Sequence, residues 1–196
     1  MKTLVFGGSV SGKSSFAESL VCKKNGNLKI YLATLDRNSG GDTAERIKRH
    51  EILRSGKGFL TVESPEKTTE MFFSDIISRI EEIKNAAHAD SCAILLEDIG
   101  NLVARVVFSD FSLVHEHQND DFFAGKIISF IEKLFSLCSD IVLVSNDIFL
   151  EKLDTTDDGM RAYLVTLSRV NVFLSHACDE NFRVVAGQPM FFSENR

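Results

Sequence analysis

Eight consecutive residues, Gly7-Gly8-Ser9-Val10-Ser11-Gly12-Lys13-Ser14, match the pattern G-x-x-x-x-G-K-[ST] without a gap. The spacing suits phosphate chemistry. Such a loop turns its backbone N–H groups inward toward phosphate oxygens, and a helix that follows it adds the positive end of its dipole. Gly7 and Gly12 permit backbone approach that a Cβ would obstruct. Lys13 is placed to reach β- and γ-phosphates, and the Ser14 hydroxyl to ligate Mg²⁺. The pattern therefore predicts a nucleoside triphosphate site. Such a site also calls for a carboxylate after a buried strand, to hold the metal or its water. Glu97 and Asp98 directly follow the apolar run Cys92-Ala93-Ile94-Leu95-Leu96. Glu97 is the first choice and Asp98 the alternative.

These residues need a scaffold, and the flanking sequence supplies one. Lys2 to Phe6 reads as a short buried strand and Ser15 to Val21 as a helix, so the glycine loop has the strand–loop–helix context it requires. Further strands are expected at Lys29–Ala33, Phe59–Val62, Cys92–Leu96 and Ile141–Ser145. Apolar residues at helical spacing mark Thr68–Ala87, a helix through Phe123, Ile127, Phe130, Ile131 and Leu134, and a late helix through Tyr163, Leu167, Val170 and Leu174. Asp42–Leu53 is compatible with a polar helix. Arg183–Ala186 and Met190–Phe192 flank Gly187-Gln188-Pro189 as a terminal hairpin. Ser109–Asp121 and Leu153–Gly159 read as loops. Alternation of this kind predicts an α/β fold: a mostly parallel sheet with helices on both faces, over one domain spanning residues 1–196. Ligands of such sheets lie at the C-terminal strand ends, where the glycine loop, Ala33-Thr34, Glu97-Asp98 and Ser145-Asn146 all fall.

Bulk properties narrow the function. The net charge of −6 argues against nucleic-acid binding as the main role. No apolar run reaches the ~18 residues of a membrane span. The start Met1-Lys2 leads directly into a strand, with no signal-peptide pattern, and a cytoplasmic protein is expected. Cys22, Cys92, Cys138 and Cys178 form no C-x-x-C pair and read as reduced thiols. His115-Glu116-His117 with Asp120 and Asp121 is a weak metal pattern, because alternate residues of a loop rarely converge on one ion. The sixteen Phe residues read as core and loop packing.

His50 lies among four cationic residues, Arg46, Lys48, Arg49 and Arg54. Such a field suits bound phosphate and tends to keep an imidazole neutral and nucleophilic. Taken alone, a histidine on a charged helix is surface decoration more often than not. The chain, however, resembles the bifunctional adenosylcobinamide kinase/adenosylcobinamide-phosphate guanylyltransferase family. The resemblance runs through Leu4–Ser14 with Ala17-Glu18, then Tyr31-Leu32-Ala33-Thr34, then Arg46-Ile47 with His50 and Arg54. It continues through Thr61-Val62-Glu63 with Pro65, Ile94–Glu97, Val142–Asn146, Arg169-Val170-Asn171 and Gly187-Gln188-Pro189. It covers nearly the whole chain.

The resemblance implies a RecA-like P-loop sheet assembled as a homotrimer. It implies that His50 attacks the α-phosphate of GTP and carries GMP, which then passes to adenosylcobinamide phosphate. It also implies a prior phosphorylation of the adenosylcobinamide hydroxyl, with GTP and ATP as substrates and Mg²⁺ as cofactor. The implied nucleotide contacts are Thr34, Arg54, Glu63 and Glu97, beside the loop 7–14. The chain departs from the family near Gly100 and Arg105, over Phe149–Asp154, at Leu164-Val165 beside Tyr163, and at Phe59, near the place of a family tryptophan. These departures leave the nucleotide motifs in place. Two rivals stay open on sequence: a diverged P-loop kinase of another alcohol, with His50 idle, and a nucleotide-binding regulatory module without turnover.

Overall fold

A computed structural model describes residues 1–24, 28–35, 48, 52, 54–109, 111–117, 121–147 and 157–194. His50 and most of the 42–53 stretch lie outside them, as does most of the 153–159 stretch. Seven strands form one sheet: β1 (Lys2–Gly7), β2 (Leu28–Ala33), β3 (Phe59–Val62), β4 (Cys92–Glu97), β5 (Asp140–Asn146), β6 (Glu180–Val185) and β7 (Gln188–Glu194). The order across the sheet is β3-β2-β4-β5-β1-β6-β7. Every neighbouring pair is parallel except β6 and β7, which form the expected terminal hairpin. Its two-residue turn, Ala186 and Gly187, has positive φ at both positions (48° and 77°), the backbone twist that joins antiparallel strands closely.

The central strands are apolar on both faces because helices cover both. Ile30, Leu32, Ile94, Leu96, Ile141 and Leu143 face a large core built with α2 (Thr69–Ala86), α3 (Ile99–Ser109), α5 (Phe122–Leu137) and α6 (Asp158–Ala177). Val5, Tyr31, Ala93, Leu95, Val142 and Val144 face the other way, onto Ala17 and Val21 of α1 (Lys13–Cys22). Two-residue alternation thus divides each buried strand between two cores.

Three differences from the sequence reading have physical causes. Helix α3 begins after β4 and the single residue Asp98. Its buried positions Ile99, Leu102, Val103, Val106 and Val107 carry helical spacing, but Gly100 and Asn101 look like a turn. The 109–121 stretch contains a short 3₁₀ turn (Phe111–Leu113) and α4 (Val114–His117) rather than loop alone. Cys92 and Cys138 are joined in a disulfide with Cα atoms 5.2 Å apart, where four reduced thiols are expected. They stand 46 residues apart, and only the pairing of Ala93 with Asp140 across β4 and β5 brings them together. Cys22 and Cys178 are not disulfide-bonded. No helix among the described residues is long and apolar enough to cross a membrane.

Candidate nucleotide site

The loop 7–14 connects β1 to α1 as its sequence requires, and its glycines are not equivalent. A Cβ at Gly7 would lie 2.5 Å from the Val184 carbonyl oxygen and 2.8 Å from Ser11 Oγ. Gly12 caps α1 with φ of 90°, and a Cβ there would lie 3.1 Å from Gly187 Cα. Gly8 has open space around it. The terminal hairpin is therefore a wall of the loop. The Gly187 N–H donates to the Ser11 carbonyl at 2.8 Å, which ties the hairpin turn to the loop's crest. On the other side the Asp147 N–H donates to the Gly7 carbonyl at 3.0 Å, and Asp147 pairs with Arg183 at 2.9 Å. The sequence marks Gly187-Gln188-Pro189 as a hairpin turn and as part of the family resemblance, but nothing in a tripeptide tells which loop it supports.

These contacts predict a contrast between two glycines. Gly12→Ala should destabilise the fold by about 1–2 kcal/mol through left-handed strain alone. It should also weaken nucleotide binding as the hairpin turn is pushed away. Gly8→Ala, whose new methyl meets no protein atom, should leave the stability of the fold and the hairpin's position unchanged. Chemical denaturation and nucleotide titration of the two variants check this, and equal behaviour would remove the hairpin as a wall of the loop.

Lys13 opens α1 and is buried at 8% exposure, its Nζ donating to the Gly8 carbonyl at 3.2 Å. Ser14 comes next in the first turn, half-buried. Glu97 ends β4 and is also buried. Along β4 it has the same parity as Ala93 and Leu95, which pack on the α1 side. The acid is thus on the side of the sheet that carries Lys13 and Ser14, with the single strand β5 between β1 and β4. Asp98 does something different. Its Oδ1 accepts the Asn101 N–H at 2.7 Å and caps α3. One acid is engaged in folding, and the neighbouring one lies at the edge of the phosphate loop's own side.

The remaining expected contacts gather at the ends of β2 and β3. Thr34 is buried, and its hydroxyl donates to the carbonyls of Glu97 (3.0 Å) and Asp98 (2.9 Å), which fixes the end of β2 to the acidic turn. Arg54 is buried with its guanidinium 3.4 Å from the centre of the Tyr31 ring. Burial and then the Glu97 charge push the Tyr31 hydroxyl well above its ordinary pKa, with Arg54 opposing. Lys57 holds Glu18 of α1 in an ion pair, so the turn after Arg54 is anchored to the helix that bears Lys13. Positive φ at Gly56 (76°) and Gly58 (75°) permits that turn. Glu63, half-buried, lies just past β3. Beyond Thr34 opens a cavity of about 580 Å³, lined by Ser64, Lys67, Asn101, Arg105 and Phe108 among others. That volume is ordinary for a small-molecule site.

His115 and His117 do not converge. His115 Nδ1 pairs with Asp158 at 2.9 Å, while the His117 ring stacks on Phe122. Among the described residues no group of three or more His, Cys, Asp or Glu is placed to hold a metal.

The model of the cobinamide kinase/cobinamide phosphate guanyltransferase family matches residues 3–192. The chain belongs to that family. No curated protein sequence matches it. Among solved structures it is similar to a KaiC-like protein of the hyperthermophilic archaeon Pyrococcus horikoshii, with a TM-score of 0.51 and 11% identity. That likeness covers 93% of this chain and 71% of the other, and it shows the fold alone: an α/β P-loop sheet of the RecA-like kind. As a member of the family the chain is assigned to cobalamin assembly, with kinase and guanyltransferase chemistry on cobinamide.

Proposed function

We propose that this protein phosphorylates adenosylcobinamide and then transfers GMP from GTP to the phosphorylated product through His50. The observation that carries the reading is Glu97 on the α1 side of the sheet, in register through Val144 with Val5, two residues before a phosphate loop whose every required residue is present. In the first step loop 7–14 and Lys13 bind the triphosphate. The acceptor oxygen forms its bond to the γ-phosphorus as the bond to the nucleoside diphosphate breaks. In the second, His50 attacks the α-phosphorus of GTP, pyrophosphate leaves, and the corrinoid phosphate then displaces the histidine. Thr34, Arg54 and Glu63 line the nucleotide beyond the phosphates, Arg54 with its cation already seated over the Tyr31 ring.

The donor set suits Mg²⁺, which keeps several waters and takes only one or two protein oxygens beside the substrate phosphates. Ser14 and Glu97 would supply them. When bound, the ion neutralises charge developing on the phosphates. A homotrimer in the cytoplasm accompanies this reading, and light scattering checks the assembly.

The direct test is conversion of adenosylcobinamide. With ATP and Mg²⁺ the phosphorylated corrinoid should form, and with GTP the product should carry GMP. Phosphorylation of some other alcohol, with no use of cobinamide, would favour a diverged kinase, and binding without turnover a regulatory module.

Glu97 supplies a sharper check. Glu97→Gln keeps the side chain's size and removes its charge. The Mg²⁺ concentration for half-maximal turnover should rise by ~10-fold or more, with a much smaller change in unfolding midpoint. A normal Mg²⁺ response in this variant, with an impaired one in Asp98→Asn, would move the role to Asp98.

A further inference from the structure

The cavity of about 580 Å³ beyond Thr34 has walls from three places. Thr34 follows β2, Glu66 and Lys67 follow β3, and Ala104, Arg105 and Phe108 lie on α3. Helix α3 packs into the large core, on the face of the sheet opposite α1. The acidic turn 97–98 joins the two sides. Glu97 is on the α1 side, while the Thr34 hydroxyl, at the cavity wall, donates to the Glu97 and Asp98 carbonyls. Among the described lining residues two cations, Lys67 and Arg105, face one carboxylate, Glu66. Arg105 is fixed in place. Its guanidinium donates to the Glu66 carbonyl at 3.0 Å, and its carbon lies 4.3 Å from the centre of the buried Phe72 ring. Lys67 and Phe108 are exposed and so stand at the mouth, Phe108 with 46% of its surface open to solvent.

We propose that this cavity receives the phosphorylated acceptor of the second step, its phosphate held by Arg105 and Lys67 and its apolar body laid against Ala104 and Phe108. The inference rests on the cobinamide kinase/guanyltransferase reading. In that step a phosphate oxygen attacks a phosphorus that already carries anionic oxygens. The two groups repel each other, and Lys13 serves the triphosphate in its own loop. The incoming phosphate therefore needs cations of its own, beside the acidic turn and outside the loop. The planar fork of Arg105 suits a phosphate, which accepts parallel N–H bonds. A neutral nucleobase, the alternative occupant, gains nothing comparable from two cations. A corrinoid is larger than the cavity. Its phosphorylated arm and the ring edge that bears the arm enter, and Phe108 meets the part left outside. In transfer the phosphate oxygen forms its bond to the α-phosphorus of the carried GMP. The phosphorus–nitrogen bond to His50 breaks, its electron pair returns to the ring nitrogen, and a proton from water restores the neutral imidazole. The product joins corrinoid and guanosine through a diphosphate bridge.

The experiment measures corrinoid binding and nucleotide labelling separately on the full chain. Adenosylcobinamide phosphate and adenosylcobinamide are each titrated by equilibrium dialysis, and labelling is followed with α-labelled GTP. The unmodified protein should bind the phosphorylated form about 10-fold or more tightly than the other. Lys67→Gln and Arg105→Gln should each remove most of that preference and raise KM for the phosphorylated corrinoid in GMP transfer. Affinity for the unphosphorylated form and labelling by GTP should stay within about twofold, because neither uses the two cations. Arg105→Lys should keep part of the preference, since it keeps the charge and loses the fork. If Arg105→Gln fails to fold, having lost its contacts with Phe72 and the Glu66 carbonyl, the exposed Lys67 carries the test. Equal affinity of the unmodified protein for the two corrinoids, or a preference that persists in every variant that folds, overturns the proposal. So does a parallel fall in labelling and transfer, which would put the nucleotide in the cavity. A protein that takes no label from GTP and binds neither corrinoid fails the family reading itself, and the proposal falls with it.

Discussion

Lys13→Ala should abolish phosphorylation and guanylyl transfer together, each by about 10²–10³-fold or more. Both reactions place a triphosphate in the same loop, and both develop charge on phosphate oxygens as a bond to phosphorus breaks. Lys13 is the cation the loop itself provides. It is buried at the first residue of α1, with its Nζ turned back to the Gly8 carbonyl at 3.2 Å. Exchanging that contact for phosphate oxygens replaces a charge-to-neutral hydrogen bond, worth about 1.5–3 kcal/mol net, with stronger charge-to-charge ones. Loss of one preorganised charge-stabilising group commonly costs about 3–4 kcal/mol in the transition state, which sets the size of the expected fall. The fold should survive, because the remaining buried residues of α1, Ala17, Glu18 and Val21, are untouched. Lys13→Arg should not restore activity, because a planar guanidinium cannot occupy the space of an ammonium under the loop. The checks are turnover in each half-reaction and a denaturation curve. Full turnover with intact nucleotide binding in Lys13→Ala would remove the loop from the active site.

The phosphate loop, the strand ending in Glu97 and the terminal hairpin were legible in the sequence for a common reason. Each is a local pattern: glycines at fixed offsets, an apolar run closed by an acid, two short strands about a Gly. The order of strands was not legible. That β5 lies between β1 and β4 depends on crossover connections, and only that order puts Asn146 between the loop and the acidic turn. Nor could sequence separate Glu97 from Asp98. The distinction lies in the next element of the chain: Asp98 caps α3, a helix whose first turn carries Gly100 and Asn101 and so reads as a turn. The Cys92–Cys138 disulfide was missed because pairing across β4 and β5, not spacing, brings the residues together. The sequence shows Arg54 as one cation among four around His50, and the family resemblance implies it as a nucleotide contact, but neither shows what it packs against. Its place against Tyr31, on the side of the sheet that bears α1, distinguishes it.

His50→Ala should abolish covalent labelling by GTP and spare phosphorylation, and this outcome decides between the family reading and its rivals. Incubation of the unmodified protein with α-labelled GTP should leave label on the chain as pyrophosphate is released. The bond formed is a phosphoramidate, labile in acid and stable in base, which separates it from a phosphoester on serine. The variant should retain no label and transfer no GMP, a loss of roughly 10³-fold or more, because without an imidazole no covalent carrier forms. Phosphorylation should continue within a few-fold of normal. That step needs the loop, Lys13, Ser14 with its metal and a docked hydroxyl, and none of these uses the histidine. Arg54 gives a graded control. Its guanidinium carbon lies 3.4 Å from the centre of the Tyr31 ring, so Arg54→Lys keeps the charge but loses the delocalised group that contacts the ring. It should slow labelling by about 10-fold or more without abolishing it, as expected for a group that steadies the nucleotide rather than forming a bond to it. A γ-phosphate transferred to alcohol by a protein that never takes label from GTP would make His50 idle and the protein a kinase alone. Label that survives His50→Ala would place the nucleophile elsewhere.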